Sequence, residues 1–284
     1  MSEKNYDKEI EKKAADIVGE LEKKEPKKRK KKLTSREILK LEAYAVGIFF
    51  WVIFAFYGAY YLVSWLAGQF WYEEAVTPVG TLVMTAIVYT TALIITVSGP
   101  ILVAQLLKNK RWMKEAATSR EELGVKGLPT WADIGLGIVG MIVTLFGGAI
   151  LLGLMTNFGW FDLEQTQDLP FATSIIGLDR VWAFVALVVV APIAEELMFR
   201  GWMYGKLRKK LPSTVGMVAS ILLVSVLFGL MHGQWNVGIT VGFMSIIMCV
   251  MREMTGTIWA GIILHMLKNG IAFVALFLPW LVGA

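Results

Sequence analysis

Long apolar runs dominate this chain and alternate with short charged stretches. A run of about 20 residues without charge is long enough to cross the hydrocarbon core of a bilayer as a helix. Such runs predict spans at about residues 43–66, 77–107 and 134–158, a fourth after Arg180, two within 211–251, and a last one at about 257–283. The pattern therefore predicts an all-α fold: a polytopic transmembrane helical bundle of about seven spans, or eight with a re-entrant segment.

Three local patterns refine this outline. Thr34 and Glu37 have the spacing of a capping box, which predicts that the first membrane helix opens there. The second run is long enough to tilt or to break, and a break would fall near Pro78 or Pro100. The stretch 108–131 places isolated apolar residues between charges, which predicts an interfacial helix and a turn.

The composition supports a membrane protein. Hydrophobic residues make up 56% of the chain and charged residues only 18%, and the mean hydropathy is +0.59. A soluble domain of this size would be more polar. The single cysteine, Cys249, cannot form an intrachain disulfide, and we interpret it as a small buried hydrophobe.

Basic residues lie on one side of the predicted spans and acidic residues on the other. Lysine and arginine cluster before the first span, at residues 108–111 and at residues 206–210. The opposite loops lack lysine and contain acidic side chains: Glu73, Glu74, Asp162, Glu164 and Asp168. The positive-inside rule predicts a cytoplasmic N-terminus, and seven spans would put the C-terminus outside.

Residues 1–40 form a charged tail that lacks the apolar region of a cleavable signal peptide. Apolar residues at helical spacing predict a short amphipathic helix in it: Ile10, Ala14, Ile17, Val18 and Leu21. Residues 23–32 are strongly basic, and we expect them to bind anionic lipid headgroups rather than nucleic acid. We divide the rest into 41–120, with two spans and a basic loop, and a core at 121–284.

Both histidines of the chain, His232 and His265, lie inside apolar segments near the carboxylates of Glu195 and Glu196. An ionisable side chain in a transmembrane helix costs about 2.5–3.5 kcal/mol or more, so it usually has a partner or a function. At about 1.5 Å per residue, the depths of these groups are compatible with one cavity, and His232 is the deepest. The polar residues 233–236 after it predict a bend toward a watery pocket.

Helical spacing separates the two glutamates. Glu196 and Arg200 are four residues apart and can pair on one helix face, so we interpret them as a structural ion pair. Glu195 is rotated by about 100° from Glu196 around the helix axis, and we interpret it as the functional carboxylate. Phe228 shares a face with His232 and would form a wall of the site. His265 likewise shares a face with Asn269, whose amide provides hydrogen-bond donors.

These residues form three ordered motifs: Glu195-Glu-x-x-x-Arg200, Phe228-x-x-x-His232 and His265-x-x-x-Asn269. They resemble the signatures of the CAAX protease and bacteriocin-processing family, also called CPBP or Abi. The resemblance covers about residues 120–280 and includes Glu122-Leu-Gly124 before the core. It implies an intramembrane endopeptidase, a CAAX prenyl protease-like peptide hydrolase, in the plasma membrane of a prokaryote.

The same resemblance implies roles for individual residues. Glu195 and His232 would activate a water that attacks the scissile carbonyl, while His265 and Asn269 would donate hydrogen bonds to the oxyanion. The ion pair would hold the first motif in shape. The implied substrate is a lipidated, CAAX-type peptide or another membrane-inserted peptide.

A zinc enzyme is the alternative mechanism, because Glu195, His232 and His265 are a valid ligand set. The chain has no H-E-x-x-H motif, and these ligands would come from three separate helices, so we expect no metal and no other cofactor. A non-catalytic scaffold or a bacteriocin-immunity protein of the same fold is the alternative function. A transporter would have broken helices in related halves, and the sequence has no internal repeat.

Lys268 is not explained by the motifs. It precedes Asn269 deep in the last span, about 100° away from the His265–Asn269 face. Three roles stay open for it: a pair with Glu196, a side chain that reaches toward water, or a contact with a substrate carboxylate.

Overall fold

The computed structural model describes residues 34–162 and 174–278, and all regular secondary structure in those ranges is helical. Six of the helices are long and apolar enough to cross a membrane, and the helix Thr214–Leu230 is apolar but shorter. The predicted polytopic helical bundle is therefore confirmed. The chain divides into Met1–Lys40 and Leu41–Ala284. The amphipathic and basic segments predicted between residues 10 and 32 lie outside the described residues.

The helices, numbered in chain order, are α1 Ser35–Phe70, α2 Tyr72–Ala75, α3 Pro78–Leu106, α4 Lys110–Ala116, α5 Arg120–Leu123, α6 Trp131–Met155, α7 Asp179–Lys210, α8 Thr214–Leu230, α9 Trp235–Thr255 and α10 Trp259–Phe277. The short helices α4 and α5 occupy the stretch where the sequence predicted an interfacial helix and a turn.

Local chemistry sets where the helices begin. At the start of α1, the Thr34 amide donates to the Glu37 carboxylate at 2.8 Å and the Glu37 amide donates to the Thr34 hydroxyl at 3.3 Å, which is the expected capping box. Thr77 caps α3, with Pro78 in its first turn. Helix α3 continues through Pro100 without a break.

Helices α8 and α9 touch backbone to backbone. A Cβ atom on Gly229 would lie 2.6 Å from the carbonyl oxygen of Gly238, and a Cβ on Gly238 would lie 2.8 Å from the oxygen of Gly229. Only glycine at both positions permits this approach. The contact fixes the short turn between the two helices, which carries His232.

The basic end of α7 is tied to the loop helices by buried charges. Lys206 forms an ion pair with Glu122 at 2.8 Å and donates to the carbonyls of Glu115, Ala116 and Ala117 at the end of α4. Lys206 is 2% exposed. A buried lysine is stable only with such a set of acceptors. This anchor fixes the helix that carries the two glutamates.

Candidate active site

Helices α7, α8 and α10 and the α8–α9 turn bring the predicted site residues together. Helix α7 carries Glu195, Glu196 and Arg200, which are 8%, 0% and 0% exposed. Helix α8 carries Phe228 near its end, and the turn after it carries His232. Helix α10 carries His265, which is 3% exposed, and the partly buried Asn269.

The Glu196 carboxylate is the centre of a buried polar cluster. Its Oε1 atom accepts a hydrogen bond from Nη1 of Arg200 at 2.8 Å and lies 3.0 Å from Nδ1 of His265. The ion pair expected from the four-residue spacing is therefore present. Both of its side chains are almost fully buried. Since breaking a buried pair leaves a charge without compensation, this pair has a large structural role.

His265 links that pair to the second glutamate. Its Nε2 atom lies 3.5 Å from Oε2 of Glu195, while its Nδ1 faces Glu196. The imidazole therefore lies between two carboxylates. A ring with hydrogen on both nitrogens can donate to both sides, whereas a neutral ring can donate to only one.

A glycine allows α10 to come this close to α7. Gly261 lies one turn before His265, and a Cβ atom there would be 3.1 Å from Oε2 of Glu196. That oxygen is buried and has no hydrogen-bond partner among the described residues. Because Gly261 has no side chain, α10 can pack close enough to set the distance from His265 to both carboxylates.

The Phe228 ring packs against both histidines. Ring centroids lie 5.1 Å apart for Phe228 and His232 and 5.7 Å apart for Phe228 and His265, both with edge-to-face geometry. The guanidinium carbon of Arg200 lies 4.2 Å from the same ring centroid. A face-stacked cation and edge-packed rings are favourable arrangements for an aromatic side chain. The Phe228 ring therefore holds the two imidazoles at a fixed separation.

The tautomer of His232 follows from its backbone partner. Nδ1 lies 2.8 Å from the carbonyl oxygen of Phe228. A carbonyl oxygen can only accept, so Nδ1 carries the hydrogen and Nε2 of a neutral ring keeps its lone pair. The chain then turns at Gly233, whose φ of 70° suits glycine. The bend predicted after His232 is thus a turn that leaves Nε2 available as a proton acceptor.

Asn269 contacts an irregular part of α7. The helix is π-helical over Val185–Val190 and over Leu197–Met203, on both sides of the segment Ala191–Glu196. In a π-helix, the Leu187 carbonyl would accept from residue 192, which is proline and has no amide hydrogen. The Asn269 side-chain amide donates to that carbonyl instead, at 2.9 Å. Its second amide hydrogen can serve another acceptor.

Tyr89 of α3 is a site residue that the sequence analysis missed. Its hydroxyl interacts with the Glu195 carboxylate, and its ring packs edge-on against Phe56 at a centroid distance of 5.5 Å. Nothing in the sequence marks Tyr89, because it belongs to no motif and lies more than 100 residues before Glu195.

Lys268 lies near the site without pairing with Glu196. The Oε1 atom of that glutamate is taken by Arg200 and His265. The charge of Lys268 interacts instead with Glu195 and with His232.

Two cavities adjoin these residues. One, of about 430 Å³, lies between α8 and α9 and is lined by Gly229, Gly233 and Gln234 next to the histidine turn. The other, of about 580 Å³, lies between α1 and α3 and is lined in part by Tyr89. Both linings are mainly apolar and could accommodate hydrophobic groups of a ligand.

No group of three or more histidine, cysteine, aspartate or glutamate side chains within residues 34–162 and 174–278 is arranged to hold a metal ion. Glu195 and His265 lie 3.5 Å apart, and His232 does not complete a metal-binding group with them. The zinc alternative would therefore require these three side chains to rearrange.

The family model described as type II CAAX prenyl endopeptidase Rce1-like matches residues 177–271. The matched segment contains all three motifs, and it confirms the family resemblance that the motifs predicted. It supports a peptidase and suggests intramembrane CAAX endopeptidase activity. No curated protein and no solved structure matches the chain. Tyr89 lies outside the matched segment.

Proposed function

We propose that this protein is an intramembrane endopeptidase that hydrolyses one peptide bond in a lipidated, CAAX-type or membrane-inserted peptide, because residues 177–271 match the Rce1-like family model. The observation that supports this function most strongly is the imidazole of His265 between two buried carboxylates, 3.0 Å from Glu196 and 3.5 Å from Glu195. A non-catalytic scaffold would not need such a buried cluster, since each charge is costly inside a membrane.

In the proposed reaction, Glu195 accepts a proton from a water molecule. Through its other hydrogen, the same water donates a hydrogen bond to Nε2 of His232. That nitrogen is free because Nδ1 donates to the Phe228 carbonyl. The water oxygen attacks the scissile carbonyl carbon to form a tetrahedral intermediate. Glu195 then returns the proton to the leaving amine nitrogen as the peptide bond breaks, which is general base and then general acid catalysis.

The developing oxyanion accepts hydrogen bonds from His265 and Asn269. For His265 this requires a hydrogen on Nε2 while Nδ1 donates to Glu196, which is the imidazolium form of the ring. Asn269 contributes the amide hydrogen that is not used by the Leu187 carbonyl. Donors that are already fixed in place stabilise an oxyanion best where little water competes.

The proposed reaction uses no metal ion and no other cofactor. Zinc held by Glu195, His232 and His265 is the competing mechanism, and in it the metal would supply an activated water. Strong chelators separate the two mechanisms. Activity that survives chelation supports the glutamate mechanism, and a loss that added zinc reverses contradicts it.

The protein is an integral membrane protein, and we propose that it lies in the plasma membrane of a prokaryote with its N-terminus in the cytoplasm. Its partners are then membrane lipid and the peptide substrate, with anionic headgroups at residues 23–32 and no nucleic acid. Labelling of single cysteines introduced into the tail checks the orientation. Labels that react only from outside would contradict it.

The decisive experiment is cleavage of a farnesylated C-terminal reporter peptide by the purified full-length protein. Glu195→Gln keeps the shape of the side chain but cannot act as a base, so we expect it to lower kcat by about 100-fold or more. Glu73→Gln, the same change at an exposed glutamate, is the matched control and should cleave like the wild type. Equal cleavage by Glu195→Gln would contradict the role of Glu195 as the base. Failure of the wild type to cleave would favour another membrane-inserted peptide as the substrate, a non-catalytic scaffold or an immunity protein.

A further inference from the structure

A third cavity, of about 420 Å³, lies between α1, α3, α4 and α7, at the end of the spans that carries the basic residues 108–111 and 206–210. All the described residues that line it lie outside the three motifs, and they include Gly47, Pro100, Trp112 and Trp202. Trp202 is seven residues after Glu195, or about 10 Å along α7. The cavity is therefore separate from the candidate active site.

One hydrogen-bond donor in the lining of this cavity has no acceptor. Trp202 is 2% exposed, and its indole Nε1 has no partner among the described residues. Trp51, which also lines the cavity, is satisfied: its Nε1 donates at 3.1 Å to the Thr96 carbonyl, which Pro100 leaves free because it has no amide hydrogen. Since a buried indole N–H usually finds an acceptor, the Trp202 donor indicates that a bound molecule supplies an oxygen here.

The interior of the cavity is mainly apolar, whereas its rim is basic. The Lys210 ammonium lies 5.3 Å from the centroid of the Tyr44 ring and 3.9 Å from Oε1 of Glu115. Glu115 is the carboxylate of the described lining, and it also lies 3.6 Å from Nε of Arg111. Its charge is therefore balanced by two cations, and the exposed Lys114 beside it adds a further positive charge. An apolar chain with an anionic end would match both parts.

We propose that this cavity binds one anionic membrane phospholipid. One acyl chain lies in the cavity, an oxygen of the glycerol backbone accepts a hydrogen bond from Nε1 of Trp202, and the phosphate lies at the rim near Lys210 and Lys114. The volume of about 420 Å³ is within the range of roughly 300–1,000 Å³ that is usual for ligand pockets. The bound lipid would connect α1, α3 and α4 to the helix that carries Glu195.

The chemistry of the cavity favours a phospholipid over other hydrophobic ligands. A prenyl chain has no oxygen for the indole N–H and no charge for the basic rim. A soluble anion would satisfy the rim but would leave the apolar interior without a partner. A phospholipid supplies all three groups, and its headgroup stays at the interface, where juxtamembrane lysine and arginine side chains attract it.

The test is lipid titration of the purified, delipidated full-length protein in a neutral detergent. The shift of the thermal unfolding midpoint gives an apparent Kd, because a ligand that binds only the folded state stabilises it in proportion to its occupancy. Phosphatidylglycerol and phosphatidylcholine with the same acyl chains differ in net charge. We expect phosphatidylglycerol to bind about tenfold more tightly, and we expect added salt to reduce this preference.

Three variants locate the binding site. A Cβ atom on Gly47 would meet no atom within 4 Å, so Gly47→Leu fills part of the cavity without a clash and should weaken phosphatidylglycerol binding by about tenfold or more. Gly58→Leu is the matched control in the same helix, since its Cβ also meets no atom within 4 Å and Gly58 does not line the cavity. It should retain the wild-type Kd. Trp202→Phe removes the indole donor and should weaken both lipids by about three- to tenfold.

A wild-type Kd in Gly47→Leu, or an equal loss in Gly58→Leu, would overturn the proposal, and so would equal affinity of the wild type for the two lipids. A farnesylated peptide that displaces the lipid, and whose own binding Gly47→Leu abolishes, would assign the cavity to the substrate instead. If Trp202→Phe does not fold, the two glycine variants provide the same test. These measurements involve no cleavage, so their outcome is independent of the proposed function.

Discussion

Gly261 offers a sensitive test of the site geometry. In Gly261→Ala, the new methyl group would lie 3.1 Å from Oε2 of Glu196, whereas ordinary van der Waals contact begins at 3.4 Å. Glu196 has little room to rotate away, because its Oε1 is held by Arg200 at 2.8 Å and by His265 at 3.0 Å. We therefore expect α10 to move away from α7 by a few tenths of an ångström.

A shift of that size matters because one contact is already at its limit. His265 Nε2 lies 3.5 Å from Glu195 Oε2, and a further increase takes it beyond hydrogen-bonding distance. Since a misplacement of about 1 Å can cost roughly 100-fold in rate, a few tenths should lower kcat by about three- to tenfold. The fold should be retained, because overpacking of about 1–3 kcal/mol is partly offset by the higher helix propensity of alanine.

The assay is cleavage of the reporter peptide, with thermal unfolding measured on the same preparations. Gly270→Ala is the matched control, since a Cβ atom there has Val188 at 3.8 Å as its nearest neighbour. It should retain kcat within about twofold, as expected for a methyl group placed in ordinary contact. A wild-type kcat in Gly261→Ala, or an equal loss in both variants, would refute the argument that Gly261 sets the position of His265.

Two further substitutions test the surroundings of the site. Tyr89→Phe removes only a hydroxyl and should lower kcat by about threefold or more at unchanged KM, because Glu195 loses one of its orienting partners. Tyr61→Phe is the control, at a tyrosine that is 69% exposed, and should leave cleavage unchanged. Equal effects of the two substitutions would contradict the role of Tyr89. Arg200→Met should lower the free energy of unfolding by on the order of 3 kcal/mol, since it leaves the buried Glu196 charge without its guanidinium partner. Adding Glu196→Gln to that variant should recover part of this loss in denaturant titrations, and a further loss would argue against the buried-charge explanation.

The parts of the site that the sequence predicted lie on single helices. The four-residue spacing of Glu196 and Arg200 predicted their ion pair, because residues one turn apart share a face whatever the helix packs against. The apolar runs similarly predicted the spans, and the capping box at Thr34 predicted the start of α1 at Ser35, ahead of the charge-free run that begins at about residue 43. Charged residues in the first turns of a membrane helix do not interrupt its hydrogen bonding.

Contacts between helices could not be predicted in the same way. The position of His265 between two carboxylates and the reach of Tyr89 to Glu195 depend on helix rotation and separation. Those quantities are set by close packing at single glycines such as Gly261. The bond from Asn269 to the Leu187 carbonyl also depends on a π-helical segment, and the spacing of the motifs carries no signal for it.

The π-helical segment before Pro192 makes the site depend on the exact number of residues in α7. Each π-turn holds one residue more than an α-turn, so deletion of a single residue between positions 185 and 190 would let the segment close as an ordinary α-helix. The N-terminal part of α7 would then rotate by about 100° relative to Glu195. Asn269 would then face a different carbonyl, so we expect substitutions in this segment to disturb the site less than a change in its number of residues.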